Sequence, residues 1–257
     1  MLYWSRIASH LDMAEKNPKL QSKRRWVHPS EGMIIRAAEF VLSLIALILS
    51  LPIMAVITLI IKIDSPGSAI FRQTRIGKDY RMNGRAILNN GARLPKERRK
   101  QDLGGRPFTF YKFRTMFVDA KERFPELYQY QYSQQDIQNL HFKVPDDPRL
   151  TPFGRRLRKT TLDELPNLIN VLKGEMSLVG PRPDIPEMIK YYGREHKKKF
   201  WVKPGLTGLA QINGRGLLTF YKTLETDVEY VENKGLGLDL KVILRTIKVT
   251  ILRIGAF

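Results

Sequence analysis

A chain of 257 residues, 43% hydrophobic and 27% charged, reads as globular rather than disordered, with room for one sizeable core or two small ones. Its 44 basic against 25 acidic residues leave a formal charge of +19, a field that favours polyanions: nucleic acid, an anionic membrane surface or phosphorylated substrates. The lack of cysteine excludes disulfides, thiol nucleophiles and thiolate-bound metals, and suits a cytosol-facing protein.

Residues 1–32 form a basic N-terminal extension. They lack a compact apolar core near the start, so no cleavable signal is expected. Next comes "AAEFVLSLIALILSLPIMAVITLII" between Arg36 and Lys62, with Glu39 its only charge. That length permits a helical crossing of a bilayer. Pro52 removes a helical hydrogen bond near the middle and predicts a kink. Both flanks are basic, so the positive-inside rule gives no orientation. Two topologies stay open over residues 33–63: a kinked spanning helix, or a re-entrant one that breaks at Ser50 and Pro52 and returns. Ser50 is placed to bond a freed carbonyl in the break.

Residues 64–235 read as a soluble domain. "DSPG" is a turn, and "AIF" and "FTFYKFRTM" are aromatic and β-prone. The loop 83–106 between them is rich in Gly, Asn and Arg. Residues 117–135 look mostly helical, interrupted at Pro125. Thr151 and Pro152 open a helix as N-cap and first helical residue. "NLINVLKGE" is a short amphipathic helix ending near Gly174. "VKPGLTGLAQINGRG" has too many glycines for regular structure and is expected to be a structured loop. "TFYKTLETDVEYVEN" is a further helix. The C-terminal segment 236–257 carries Lys241, Arg245 and Lys248 as a basic stripe on an apolar helix. That pattern suits a helix on a membrane surface and equally a core-packed helix with its lysines outward. The fold class is thus mostly α with a few short strands (α+β).

Asp163 and Glu164 stand just before Pro166, which is tolerated only in a helix's first turn. Their position is expected to favour the anionic form through the helix dipole. Thr161-x-x-Glu164 also fits a capping box, so capping and chemistry both remain open for this pair. Arg155, Arg158 and Lys159 lie shortly upstream. Arg182, between Pro181 and Pro183, has the reduced backbone freedom that suits a preorganised phosphate contact. Acidic residues within a basic, phosphate-favouring region beside a membrane segment point to phosphoryl chemistry with a divalent metal. One carboxylate would attack phosphorus while the other holds the metal.

The ordered set "DSPG", "FRQTRIG", "FYKFRTM", "DDPRLTPFGRRLRKTTLDELPNLINVLKGEMSLVGPRP", "KPGLTGLAQINGR" and "TDVEYVEN" resembles the bacterial sugar transferase family, the monotopic phosphoglycosyl transferases of small type. The resemblance covers about residues 33 to 254. It implies transfer of a phospho-sugar from a UDP-sugar to polyprenyl (undecaprenyl) phosphate, giving polyprenyl-diphospho-sugar and UMP, at the start of surface polysaccharide or glycoconjugate synthesis. By the same resemblance Asp163 is the nucleophile that forms an aspartyl phospho-sugar, and Glu164 helps hold Mg²⁺. Lys112, Arg158 and Arg182 contact phosphate, and Gln211, Asn213 and Arg215 match a motif tied loosely to nucleotide or sugar. The family's apolar helix is re-entrant. The expected place is the bacterial inner membrane, with the catalytic domain on the cytosolic face among anionic lipids. Here the break reads Ser50-Leu51-Pro52 where some relatives have Ser directly before Pro, and loop 83–106 is longer than the few residues expected. Two competing readings are a membrane-tethered nucleic-acid binder and an inactive scaffold. No nucleic-acid reading motif is apparent, and the basic residues are scattered rather than set on one aromatic-interleaved face.

Overall fold

The computed structural model describes residues 29–80, 103–141, 146–214 and 217–251. Most of the expected N-terminal extension, most of loop 83–106 and Arg215 lie outside the described residues. Helix α1 runs from Pro29 to Asp64 with Pro52 inside it. Among the described residues it is the one helix long and apolar enough to cross a membrane. Leu42, Leu49, Leu51, Val56 and Leu59 of α1 are each more than half exposed. The Ser50 hydroxyl donates to the Leu47 carbonyl at 2.9 Å, whereas the carbonyl Pro52 frees is that of Ile48, and the helix runs through Pro52 without the expected break.

Both ends of α1 are fastened to one body. At the first end Arg36 Nη2 donates to Leu172 O at 2.9 Å, and Glu39 Oε1 accepts from the Ser177 hydroxyl and the Leu178 N–H. At the second end Ile57 and Ile61 pack with Ala69, Phe113 and Leu157. Asp64 accepts from the Phe153 N–H at 3.2 Å. Buried Arg114 clamps the exit turn through Ser65 O at 2.6 Å and through Pro66 O.

Strands β1 (Ile70–Ile76) and β2 (Pro107–Phe113) form an antiparallel pair. Phe71 faces Lys112, Gln73 faces Phe110 and Arg75 faces Phe108, so Lys112, Gln73 and Arg75 share one face. The outer edge of β2 is sealed by a side chain rather than a third strand. Asn170, fully buried, donates to Thr109 O (2.7 Å) and accepts from the Tyr111 N–H (3.2 Å). This satisfies an edge that would otherwise be open and ties β2 to the element carrying Asn170, α5 (Leu168–Leu172).

Between β2 and α5 lie α2 (Ala120–Arg123), a 3₁₀ turn at Pro125–Tyr128, α3 (Gln134–Asn139) and α4 (Pro152–Thr160). The predicted cap on α4 is present: the Thr151 hydroxyl accepts from the Gly154 N–H at 2.9 Å. Residues 117–135 are less helical than expected. Pro125 ends α2 after one turn, and Tyr130 takes a left-handed backbone with φ +51°.

Beyond α5 come β3 (Ser177–Val179), β4 (Gly205–Thr207), α6 (Leu209–Gly214), α7 (Phe220–Asn233) and α8 (Leu236–Ile251). The Gly-rich segment expected to be a loop is instead a strand and a helix. β4 pairs parallel with β3, Ser177 opposite Gly205. A Cβ on Gly205 would run into the Gly180 N–H, so the glycine is there for close backbone approach, not for disorder. Helix α8 is buried along one side only. Val242 and Val249 are buried, whereas Leu236, Leu240, Leu244 and Ile247 are exposed beside Lys241, Arg245 and Lys248.

Candidate active site

Asp163 and Glu164 sit in a 3₁₀ turn, Leu162–Asn167, directly after α4. Thr161 ends α4 in the left-handed region at φ +61°, a strained choice for a β-branched residue, on the order of 1–3 kcal/mol. This reversal redirects the chain between Arg158 and the carboxylates. It also removes the capping box. A left-handed Thr161 lacks the extended backbone of an N-cap, its side chain caps nothing, and its hydroxyl donates to Thr160 O at 2.6 Å. Glu164 turns away instead: Oε1 accepts from Arg182 Nη2 at 2.7 Å.

Asp163 is buried, and no side chain among the described residues hydrogen-bonds its carboxylate. Burial, then the adjacent Glu164 charge, raises its pKa to about 6 against the pull of Lys112, Arg158 and Arg182. The dipole expectation is overturned, because a six-residue 3₁₀ turn offers little dipole and desolvation outweighs it. A carboxyl titrating near 6 remains about nine-tenths ionised at pH 7. Here the cations, not a helix end, keep it so.

Burial pushes Glu164 upward as well, but Arg182, by charge and hydrogen bond, holds it below the ordinary glutamate range with help from Lys112 and Arg75. Burial brings Lys112 down to about 8; Asp163 opposes this, while Arg158 and Arg75 add to it. Arg158 is steadied from behind by Asp147, 3.5 Å away, which Arg149 also grips at 2.8 Å. The sequence-predicted residues Lys112, Arg158, Asp163, Glu164 and Arg182 therefore form one electrostatic cluster. Gln211 and Asn213 are not tied to it. Gln211 Nε2 donates to Leu206 O at 3.4 Å, and Asn213 is exposed at the end of α6.

Sequence reasoning passed over Arg75, which the fold brings to the cluster. Its Nη1 donates to Pro183 O at 3.1 Å, its Nη2 to Gln73 Oε1 at 2.8 Å, and its Nε is buried without a partner. Burial, then the Arg182 charge, lowers even this guanidinium to about 10. Two-residue alternation along β1 was the available signal, since it sets Arg75 on the face of Lys112 once the register is known.

A second, closed network lies behind Arg182. Lys199, 2% exposed at its side chain, bridges Asp184 at 2.6 Å and Asp227 at 2.9 Å, and the Tyr192 hydroxyl donates to Asp184.

Among the described residues no three His, Cys, Asp or Glu side chains form a ready-made metal cage. The carboxylate pair does fit a cation that takes one or two carboxylates and draws its other ligands from phosphate and water, as Mg²⁺ does. Among the described residues Asp163 is unbonded, and Glu164 commits only Oε1, to Arg182.

Residues 30–84 and 86–253 match the family model described as bacterial sugar transferase. The chain is 39% identical over 191 residues to galactosyl transferase CpsE of Streptococcus agalactiae serotype III, covering 74% of this chain and 36% of that protein. It is 36% identical over 227 residues to the UDP-glucose:undecaprenyl-phosphate glucose-1-phosphate transferase of Escherichia coli, covering 84% of this chain and 39% of that one. With exopolysaccharide production protein ExoY of Rhizobium meliloti it shares 31% identity over 231 residues, 90% of this chain and 91% of the relative. The chain thus spans well under half of the first two proteins and nearly all of the third. With the family model covering most of its length, this chain belongs to the bacterial sugar transferase family.

Proposed function

We propose that this protein moves a sugar phosphate from a UDP-sugar to polyprenyl phosphate, releasing UMP and forming polyprenyl-diphospho-sugar, with Asp163 as nucleophile. The observation that carries this reading is the Asp163 carboxylate: buried, unbonded among the described residues, and ringed by Lys112, Arg158 and Arg182. A structural acid would be expected to hold a partner; a free one among cations is poised for an electrophile that brings negative charge with it. The names of the relatives, which include a UDP-sugar donor and undecaprenyl phosphate, agree with that chemistry.

In the first step an Asp163 oxygen bonds to the sugar-bearing phosphorus of the donor. The bond from that phosphorus to the bridging oxygen breaks, and UMP leaves with the electron pair. In the second step a phosphate oxygen of the polyprenyl acceptor attacks the same phosphorus, and the acyl-phosphate bond breaks to restore the carboxylate. Arg182, anchored to Glu164, and Lys112 offset charge on the transferring group. Asp163 and the free Glu164 oxygen would hold Mg²⁺, which when bound neutralises diphosphate charge.

We also read α1 as re-entrant. Its two anchored ends, near Arg36 and Ile61, are about 38 Å apart along a straight helix, longer than a bilayer's apolar core, yet both touch one domain. That supports a helix entering and leaving on one face. Cysteines placed singly at positions 10 and 80 should react with an impermeant reagent from the same side of sealed vesicles. Reaction from opposite sides would establish a spanning helix.

The chemical test is a panel of UDP-sugars scored by UMP release, with peptide mapping of the quenched enzyme. Wild type should release UMP and carry sugar phosphate on Asp163, and Asp163→Asn should do neither while melting normally. Undiminished turnover in Asp163→Asn, or an adduct on another residue, would overturn the assignment.

A further inference from the structure

A second cationic site lies at the first turns of α1. An open groove of about 610 Å³ is lined there by Met33, Arg36, Phe40, Val41 and Lys203, with Gly32 and Ala37 between them and no acid in the lining. Arg36 is only partly satisfied. Nη2 is taken by Leu172 O, but Nη1 is buried without a hydrogen bond. Its ion pair with Glu39 is long, 3.8 Å from Nη1 to Oε2, while Glu39 Oε1 is held by Ser177 and the Leu178 N–H.

Lys203 makes no hydrogen bond or ion pair among the described residues. It is half-buried, and its ammonium titrates below the ordinary lysine value. Burial is the main cause, and Arg36, Lys78 and Lys234 add to it while Glu39 opposes them. Arg36 and Lys203 converge over Gly174, at φ +78°, where a Cβ would meet Arg36 Nη2 at 3.3 Å and Lys203 Nζ at 3.7 Å. Two like charges held within about 7 Å in a partly desolvated place repel each other, so the arrangement calls for an anion.

The anion's character follows from its surroundings. From Arg36 the exposed side chains Phe40, Leu44, Ile48 and Leu51 continue at helical spacing along α1, an apolar track leading away from the cations. A phosphate joined to acyl chains meets both parts at once. A free phosphate leaves the track empty, and an acidic peptide leaves it without apolar cover.

We infer that Arg36 and Lys203 form a binding site for the phosphate of an anionic bilayer phospholipid, whose chains lie along the Phe40–Leu51 face of α1. The inference rests on the membrane reading above but not on the Asp163 chemistry. Such a site would pin the first turns of α1 at headgroup depth and so fix how deeply the domain sits.

The test uses the full-length protein, delipidated in detergent and titrated with dioleoyl phosphatidylglycerol or dioleoyl phosphatidylcholine, with bound lipid read by native mass spectrometry. One phosphatidylglycerol per chain should bind in preference to phosphatidylcholine. Arg36→Gln/Lys203→Gln should weaken it at least about tenfold, as expected for loss of charge-assisted contacts. Lys241→Gln/Arg245→Gln on α8 should not. Lys203→Gln alone, which disturbs no hydrogen bond among the described residues, serves if the double variant does not fold, with a loss of several-fold expected. Equal binding of the two lipids, or wild-type affinity in the variants, would overturn the site. So would displacement by inorganic phosphate, or by equimolar undecaprenyl phosphate where phosphatidylglycerol fails to compete. UMP release by the double variant at saturating substrates should persist, which separates failure of this site from failure of the transferase reading.

Discussion

Lys112→Met tests whether the cations around Asp163 set its charge. On the proposed chemistry, with Asp163 as nucleophile, the Asp163–Glu164 pair should give wild-type kcat/KM an acid limb near 6, since attack would need the carboxylate and would be lost as pH falls through that value. The ammonium of Lys112, at about 8, gives an alkaline limb, because its positive charge is lost as pH rises. Lys112 is foremost among the cations pulling Asp163 down, and removing an opposite charge at this range shifts a carboxyl by about one unit, or about 1.4 kcal/mol. The acid limb should therefore move toward 7. At pH 6 the ionised fraction would drop from about one half to about one tenth, a roughly fivefold loss beyond any pH-independent loss of phosphate contact. The alkaline limb should vanish. Lys112→Arg, which keeps the charge and does not titrate in this range, should lose only the alkaline limb. The assay is UMP release from pH 5 to 9.5 at fixed ionic strength and saturating Mg²⁺. An acid limb unmoved in Lys112→Met would refute the electrostatic reasoning even if overall activity fell.

Glu164→Gln should raise the Mg²⁺ concentration for half-maximal UMP release about tenfold, since on the proposed chemistry it would weaken one carboxylate ligand as well as the Arg182 ion pair. An unchanged Mg²⁺ titration would remove Glu164 from the metal's ligands. Gly154→Ala places a methyl against the Thr115 carbonyl, and overpacking of this kind costs about 1–3 kcal/mol. For a chain this size that lowers Tm by several degrees, measurable by thermal unfolding. A melting point equal to wild type would mean that α4 and the Thr115 backbone just after β2 do not meet as closely as the structure has them.

Legibility in the sequence followed the range of the interactions. The Thr151 cap was readable because it is local: its hydroxyl accepts the amide hydrogen bond that threonine favours at a helix start. The capping box at Thr161 and Glu164 was misread for the opposite reason. A residue 18 positions downstream, Arg182, offers Glu164 a charged partner, and no local pattern reveals that competition. The strand and helix in the Gly-rich segment escaped because the parallel β3–β4 pairing is long-range; only once Gly180 meets Gly205 and Thr207 do those glycines read as a tight seam. The raised pKa of Asp163 depends on burial, which sequence position alone does not supply. The membership of the cluster, by contrast, was largely visible, because family motifs record which residues converge even when the path of the chain is unknown.

Arg182 shows where that kind of reading stops. Two flanking prolines suggest stiffness, but proline fixes its own φ, only narrows the residue before it and donates no hydrogen bond, so a Pro-Arg-Pro segment still has to be held through its carbonyls. Three are held. Pro181 O accepts from the Gly205 N–H at 2.9 Å, Pro183 O from Arg75 at 3.1 Å, and Asp184 O from the Ile76 N–H at 2.9 Å. The Asp184 carboxylate is then locked by Lys199, itself balanced by Asp227. A buried triad of this kind is weak evidence for net stability. Its geometry is better explained as fixing the backbone beside Arg182, so that, on the proposed chemistry, a guanidinium already paired with Glu164 would meet the donor's charge without reorganising. Preorganisation at this site is therefore a property of β1, β4 and the Lys199 network acting on three carbonyl groups, with the prolines only limiting what the loop must be held against.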